Sequence, residues 1–359
     1  YNITTFINDG RLEVLFRDLG CDDPNWAVVG LKIKKVECMQ IPKEIKKIVK
    51  DIKDMKIQGA SKVRSATIKA IKIFLRKDKS KNVESFYKNF YKVLRLLVSS
   101  RPTEPEMRTA IRILLKESKR DLKLDKLKMY LLSICEGYEK SRELALKKIA
   151  EYGSRLFEKN SIILTHCHSH TVEAILKEAY KKGLIEKVYC TETRPLFQGR
   201  KTAKSLVKAG IPTTMIVDSA VASIMHEVDV FITGADAVIE DGSIINKIGT
   251  YTISIVANRF NVPHYAACST HKFDPITSFG FREKIEERSP KEVWQKRPKG
   301  LKIINKAFDI TPSIFVKKII TEKGVFGSEA FASYMYQKLK LGEKELEKMS
   351  LQKLLEAKA

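Results

Sequence analysis

Apolar residues recur at helical spacing through the first part of the chain. In IPKEIKKIVKDIKDMKI they fall at Ile41, Ile45, Ile48, Val49, Ile52 and Met55, one stripe of a 3.6-residue repeat opposite a lysine-rich face. After a break at Gln58-Gly59-Ala60-Ser61, SKVRSATIKAIKIFLRKD and VESFYKNFYKVLRLLVSS keep that spacing. A turn at Arg101-Pro102-Thr103 separates them from EMRTAIRILLKES and from a long helix near Lys126–Glu151. From Ser161 the period changes. SIILTH, KVYCTE, TTMIVD, DVFITGA, HYAACS and SIFVKKIIT are short apolar runs separated by helical or loop stretches. Continuous apolar strands alternating with helices predict a mainly parallel sheet covered on both faces.

The expected fold is therefore α/β, an N-terminal helical domain followed by a Rossmann-like, mainly parallel sheet domain. The boundaries expected are an N-terminal extension of β character at 1–38, a helical domain at 39–152, the sheet domain at 153–345 and a charged helical tail at 346–359. In the extension, RLEVLF and WAVVGLKIKKV read as two strands around the turn-rich CDDPN.

A chain of 359 residues is long enough for two cored domains. No apolar run reaches the length of a membrane span, and no basic-then-apolar start marks a signal peptide. The six cysteines lack any CxxC pairing, which points to reduced thiols in a cytoplasm rather than a disulfide frame or zinc ribbon. The net charge of +24 raises the prospect of a polyanionic partner. Yet the lysines are spread from Lys32 to Lys358, with no RNP-like aromatic motif or zinc finger, so a solvated lysine-rich surface is the simpler reading and nucleic acid is not expected.

The densest chemistry lies in SIILTHCHSHT, where a strand empties straight into a helix. That junction belongs at the carboxyl edge of the sheet, where open α/β folds bind ligands. A cysteine there feels the positive end of the following helix, so Cys167 is expected to be a thiolate and the first candidate for chemistry. The competing readings are a small buried apolar residue for Cys167 and, for His166, His168 and His170, a zinc-binding set. Cys135, Cys190 and Cys268 fall in helix or strand cores and read as structural. Other strand ends add Thr191, Glu192, Thr193, Arg194, Gln198, Asp218, Ser219 and Asp236, with Asn246-Lys247 in the loop beyond; Arg194 and Lys247 suit phosphate, while an aspartate after a strand is commonly a helix cap.

The blocks THCHS, TETRPLFQGRKTA, GIPTTMIVDSA, ITGADAV, NKIGT and HKFDP, with IQGASKV, SSRPTEPEMRTAI and FDITPSIFVKKIITEKG, resemble one superfamily. It holds archaeal ribose-1,5-bisphosphate isomerases, methylthioribose-1-phosphate isomerases and the α, β and δ subunits of translation initiation factor 2B. The resemblance spans about Met39 to Gly324. It implies Cys167 and Asp236 as the catalytic pair. It also implies substrate contacts from Gln58, Gly59, Ala60, Arg101, His168, Ser169, Arg194, Gln198, Asn246, Lys247 and Lys272, with no metal or organic cofactor. One departure is Gln58, where the family loop reads Arg-Gly-Ala; a glutamine offers no bidentate charged contact, and Lys62 or Arg64 are placed to compensate.

What the resemblance implies is isomerisation of ribose 1,5-bisphosphate to ribulose 1,5-bisphosphate in AMP and nucleoside salvage. It further implies a homo-oligomer built on dimers, up to a hexamer, and a nucleotide activator such as AMP. The alternative is a non-catalytic regulatory protein like the factor 2B α subunit. For a sugar whose anomeric oxygen carries phosphate, ring opening needs an acid at the ring oxygen and a base at C2. The expectation is Cys167 thiolate as the base and a protonated Asp236 as the acid, through an enol phosphate.

Overall fold

The computed structural model describes residues 2–8, 11–17, 41–57, 59–101, 105–274, 277 and 285–339. The chain divides into two units, Tyr1–Ile41 and Pro42–Ala359. In the first, β1 (Asn2–Asn8) pairs antiparallel with β2 (Arg11–Arg17), from Asn2 opposite Arg17 to Asn8 opposite Arg11. The extension thus has β character, but the partner of RLEVLF is the strand before it. The expected second strand, WAVVGLKIKKV, lies outside the described residues.

The second unit opens with five helices, α1 (Lys43–Lys53), α2 (Ala60–Lys77), α3 (Val83–Ser100), α4 (Pro105–Ser118) and α5 (Leu124–Ser154). Their stripes bury Ile45 and Ile52 of α1, Phe74 of α2, and Phe86, Phe90, Val93, Leu94 and Leu97 of α3. Phe74, Phe86 and Phe90 form a ring cluster with centroids 5.5–5.7 Å apart. Each such side chain contributes about 1.5–3 kcal/mol by leaving water. Asn82 caps α3 by accepting from the Ser85 amide at 2.8 Å. The expected break before α2 is there: Gly59 precedes the helix with φ 82°, and Gln58 lies outside the described residues.

Next come β3 (Ser161–Thr165), α6 (His170–Lys181), β4 (Ile185–Thr191), α7 (Gly199–Lys208), β5 (Thr213–Ile216), α8 (Val221–Ile224) and β6 (Val230–Gly234). They are followed by β7 (Ala237–Val238), β8 (Ile244–Lys247), α9 (Thr250–Arg259), β9 (His264–Ala267), β10 (Phe308–Thr311), β11 (Lys318–Thr321), β12 (Gly324–Phe326) and α10 (Ser328–Leu339). The main sheet has the order β12-β11-β9-β6-β3-β4-β5, parallel except for β12 against β11. Ile163 packs with α5, α6 and α7 on one face, and its neighbour Leu164 packs with α8 and α9 on the other. That is why the strand reads as an unbroken apolar run. The strands of a second sheet were not expected. β10, β8 and β7 form a small antiparallel sheet, so Asn246 and Lys247 stand on a strand rather than in a loop.

Sheet order explains where a ligand belongs. The chain leaves β3 toward β4 and β5, then returns to lay β6 on the other side of β3. Connections therefore diverge above β3 and β6, and the crevice they leave opens beyond the carboxyl ends of those two strands. The charged tail expected at 346–359 lies outside the described residues. Among the described residues, no helix is long and apolar enough to cross a membrane.

Candidate active site

A cavity of about 1280 Å³ fills that crevice and reaches down between the sheet and the five helices. Its walls include Gly59, Arg101, Cys167, His168, Ser169, Gln198, Asp236, Asn246, Lys247 and Lys272. Ten of the thirteen residues expected at the site thus face one space. Of the others, Ala60 is the first residue of α2 and Gln58 is outside the described residues. Arg194 is not on the wall. Its exposed guanidinium lies 5.1 Å from the Phe197 ring and donates to the Val293 carbonyl at 3.2 Å. The backbone sends its side chain outward because the amides of Thr193 and Arg194 both turn in, donating to Asp218 at 2.7 Å each.

The turn after β3 is built around Cys167. His166, fully buried, lies 2.9 Å from the Ile248 carbonyl through Nε2 and 2.6 Å from the Thr191 hydroxyl through Nδ1. A carbonyl only accepts, so Nε2 carries the proton and Nδ1 accepts from Thr191. Burial pushes the His166 pKa down to about 4, with the Ile248 carbonyl opposing. Cys167 then takes a left-handed φ of 69°, a conformation that costs a non-glycine residue about 1 kcal/mol or more. Both its backbone groups are held: its amide donates to Thr193 Oγ1 at 2.9 Å, and its carbonyl accepts from Thr202 Oγ1 at 2.8 Å. Ser169 caps α6. The three histidines do not converge as a ligand set, since His166 points to Thr191 and Ile248 while His168 points to Thr202 and Glu173.

The expected resting thiolate is corrected by the surroundings. Burial pushes the Cys167 thiol up to about 11; Lys247 pulls it down and Asp236 pushes it further up. Desolvation outweighs the helix terminus, because Cys167 precedes the Ser169 cap by two residues and the dipole fades within a turn. Cys135, Cys190 and Cys268 are buried, and burial pushes each to about 12, as structural thiols.

Asp236 follows β6, and its amide donates to the Ile245 carbonyl at 2.8 Å, tying the main sheet to the small one. The strand before it is apolar, but the carboxyl itself stands in polar surroundings. Its side chain is 31% exposed, and Oδ1 is 3.8 Å from the buried Lys272 ammonium. Lys272 also lies 3.9 Å from Glu106, itself 3.2 Å from Arg64. Burial works against the Glu106 carboxylate, but Lys272 and Arg64 outweigh it and hold its pKa below the usual range. Across the cavity Lys247 sits 4.6 Å from the Phe308 ring, beside Asn246, whose amide donates to Thr250 at 3.0 Å. Arg101, 8% exposed, pairs with Glu286 at 3.3 Å. Cations from three directions thus surround a thiol and a carboxylate, which suits a phosphorylated ligand.

Glu106, Thr202 and Glu173 went unrecognised from sequence. Glu106 and Glu173 each occupy a first helical turn, where an acidic residue is routinely explained by the helix dipole. Thr202 lies within α7 and carries no pattern at all.

Known proteins agree with the geometry. A ribose 1,5-bisphosphate isomerase of Methanocaldococcus jannaschii is 38% identical over 296 residues, covering 82% of this chain and 94% of that one. A solved 5-methylthioribose 1-phosphate isomerase of Pyrococcus horikoshii superposes with a TM-score of 0.71 at 26% identity, covering 82% of this chain and 88% of that one. The translation initiation factor eIF-2B structure of the same organism gives 0.69 at 26% identity, covering 80% and 98%. The model of the Initiation factor 2 subunit family matches residues 56–328, from the loop before α2 through the whole parallel sheet, and the chain belongs to that family.

Proposed function

We propose that this chain isomerises ribose 1,5-bisphosphate to ribulose 1,5-bisphosphate. One observation carries the reading. Cys167 and Asp236, delivered by adjacent strands β3 and β6, line the same cation-ringed cavity. A regulatory scaffold has no need of that pair. The substrate follows from relatives that carry this name and from Lys247, Lys272 and Arg101, which supply charge for two phosphates.

In the reaction, Asp236 in its acid form gives a proton to the ring oxygen as the C1–O bond breaks. Cys167 Sγ, as thiolate, takes the proton from C2, leaving an enol phosphate. The thiol then returns a proton to C1. A thiol near pKa 11 leaves about one molecule in a thousand ionised at pH 8, so turnover depends on that small fraction and on Lys247 holding the charge. The working form is a homo-oligomer in the cytoplasm, with a nucleotide such as AMP as activator; the exposed Ile304, Ile310 and Ile314 offer apolar surface for self-association.

The test is to supply α-ribose 1,5-bisphosphate to the purified protein and follow the ketose, with Asp236→Asn and Cys167→Ser alongside. Turnover lost in both variants, with binding retained, supports the reading. Saturable binding of sugar phosphate without turnover in the wild type would transfer it to the regulatory alternative.

A further inference from the structure

The two-residue scheme leaves one proton unassigned. Collapse of the enol phosphate to the ketone requires loss of the proton on O2 as C1 gains one. Cys167 is committed to carbon, and Asp236 has just served the ring oxygen.

His168 is built to take it. Its Nδ1 lies 3.1 Å from Thr202 Oγ1 and 3.1 Å from Glu173 Oε1. Both neighbours can only accept there. The Thr202 hydroxyl proton is already given to the Cys167 carbonyl at 2.8 Å, and burial, which opposes the Glu173 carboxylate, is outweighed by His168 and Ser205, which hold its pKa below the usual range. Nδ1 therefore carries the ring proton, and the lone pair of the neutral imidazole is on Nε2. Among the described residues Nε2 makes no hydrogen bond, and His168 and Cys167 line the same cavity. Glu173 is itself fixed: only 6% exposed in the first turn of α6, it accepts from Ser205 Oγ at 2.9 Å through Oε2, with Lys177 Nζ at 3.5 Å. A buried carboxylate beside one nitrogen of an imidazole that lines the cavity orients the other nitrogen as a base and stabilises the cation it becomes.

We propose that His168 is a further catalytic base, removing the O2 proton during ketonisation, and that Glu173 and Thr202 are its positioning residues. This rests on the isomerase reading. The step balances within the site. Nε2 takes the O2 proton, the O–H electron pair becomes the C2–O π bond, and the C1–C2 π pair takes the proton from Cys167 Sγ. The thiolate is regenerated, and the proton on His168 leaves through solvent in the open cavity to re-protonate Asp236.

The experiment is steady-state kinetics of the full chain with α-ribose 1,5-bisphosphate, comparing wild type, His168→Gln, His168→Ala and Glu173→Gln. The expected result is a kcat at least about 100-fold lower in both His168 variants with KM within about threefold. Added imidazole should restore His168→Ala saturably, which a merely structural role would not allow. Glu173→Gln should lower kcat about tenfold and ignore imidazole. An unchanged kcat in His168→Gln, a loss confined to KM, or failure of imidazole to restore a folded His168→Ala would overturn the assignment. If either His168 variant does not unfold cooperatively, the isosteric Glu173→Gln decides: wild-type kcat there overturns it. A wild type that turns over beside fully active His168 variants refutes only this inference, whereas an inert wild type refutes the isomerase reading and this one together.

Discussion

Keeping His264 neutral in the fold should cost stability between neutrality and pH 5, as the unfolded chain takes up the proton that the buried ring refuses. The ring is 2% exposed, stacked on Phe231 with centroids 4.4 Å apart, and its two nitrogens lie 2.8 Å from Thr233 Oγ1 and 3.0 Å from Ser254 Oγ. Burial pushes its pKa down to about 3. In the unfolded chain the same group titrates near about 6.5. The folded pKa is depressed, so between those values the unfolded state binds the extra proton and stability falls as pH falls. At pH 5 the loss is about 2 kcal/mol, a figure insensitive to the folded value provided that value stays well below 5. His166, pushed to about 4, adds about 2 kcal/mol by the same argument. Asp309 works the other way. Burial raises its pKa to about 6, so it returns about 1 kcal/mol at pH 5. Urea unfolding at about pH 7.5 and pH 5 should therefore show a net loss near 3 kcal/mol from these three groups. His264→Gln, which can still bridge Thr233 and Ser254, should be less stable at both pH values but lose about 2 kcal/mol less between them. Equal losses for the two proteins would refute the claim that His264 is buried neutral.

The working state needs Cys167 as thiolate and Asp236 as acid at once, so a rise in pH gains one form as it loses the other, and initial rates should stay level from about pH 7 to about pH 9; a tenfold climb per pH unit would argue against Asp236 as the acid. The buried Cys135, Cys190 and Cys268 have pKa values raised to about 12, so their stabilisation is complete below about pH 9 and is lost above it. Each should contribute about 1.4 kcal/mol of loss per pH unit there, and Cys268→Ala should flatten the alkaline limb of a urea titration. Gly199→Ala should destabilise by about 3 kcal/mol or more, because the added carbon would sit 1.8 Å from the Thr191 carbonyl oxygen; a melting temperature within a few degrees of wild type would contradict that contact.

The layers were legible because each depends on a period. Ile45 and Ile52 repeat at helical spacing, Ile163 and Leu164 form an apolar run, and both patterns are local. The pair Cys167 and Asp236 was legible for the same reason, since each follows a strand whose end the pattern locates. What failed was anything set by distant partners. Arg194 has the chemistry of a phosphate ligand, but Asp218, 24 residues on, turns its backbone inward and its side chain out. Cys167 has a helix ahead of it, yet the surrounding atoms that desolvate its thiol come from elements scattered along the chain. Asn246 and Lys247 looked like loop residues because the strand that completes their sheet, β10, arrives about sixty residues later.

The small antiparallel sheet divides labour within the cavity. Cys167 and Asp236 are mounted on the parallel sheet, while Asn246 and Lys247 are mounted on β8, which reaches that sheet through the Asp236 amide and the His166 contact to Ile248. On the isomerase reading, the proton-transfer pair and part of the anion-contacting set are thus carried on two frames that these contacts tie together. Both ties run to backbone carbonyls of the β8 segment, so side-chain substitutions on β8 leave them in place. On the isomerase reading, a chain of this design could alter its anion contacts through β8 side chains while the strands that carry Cys167 and Asp236 keep their place.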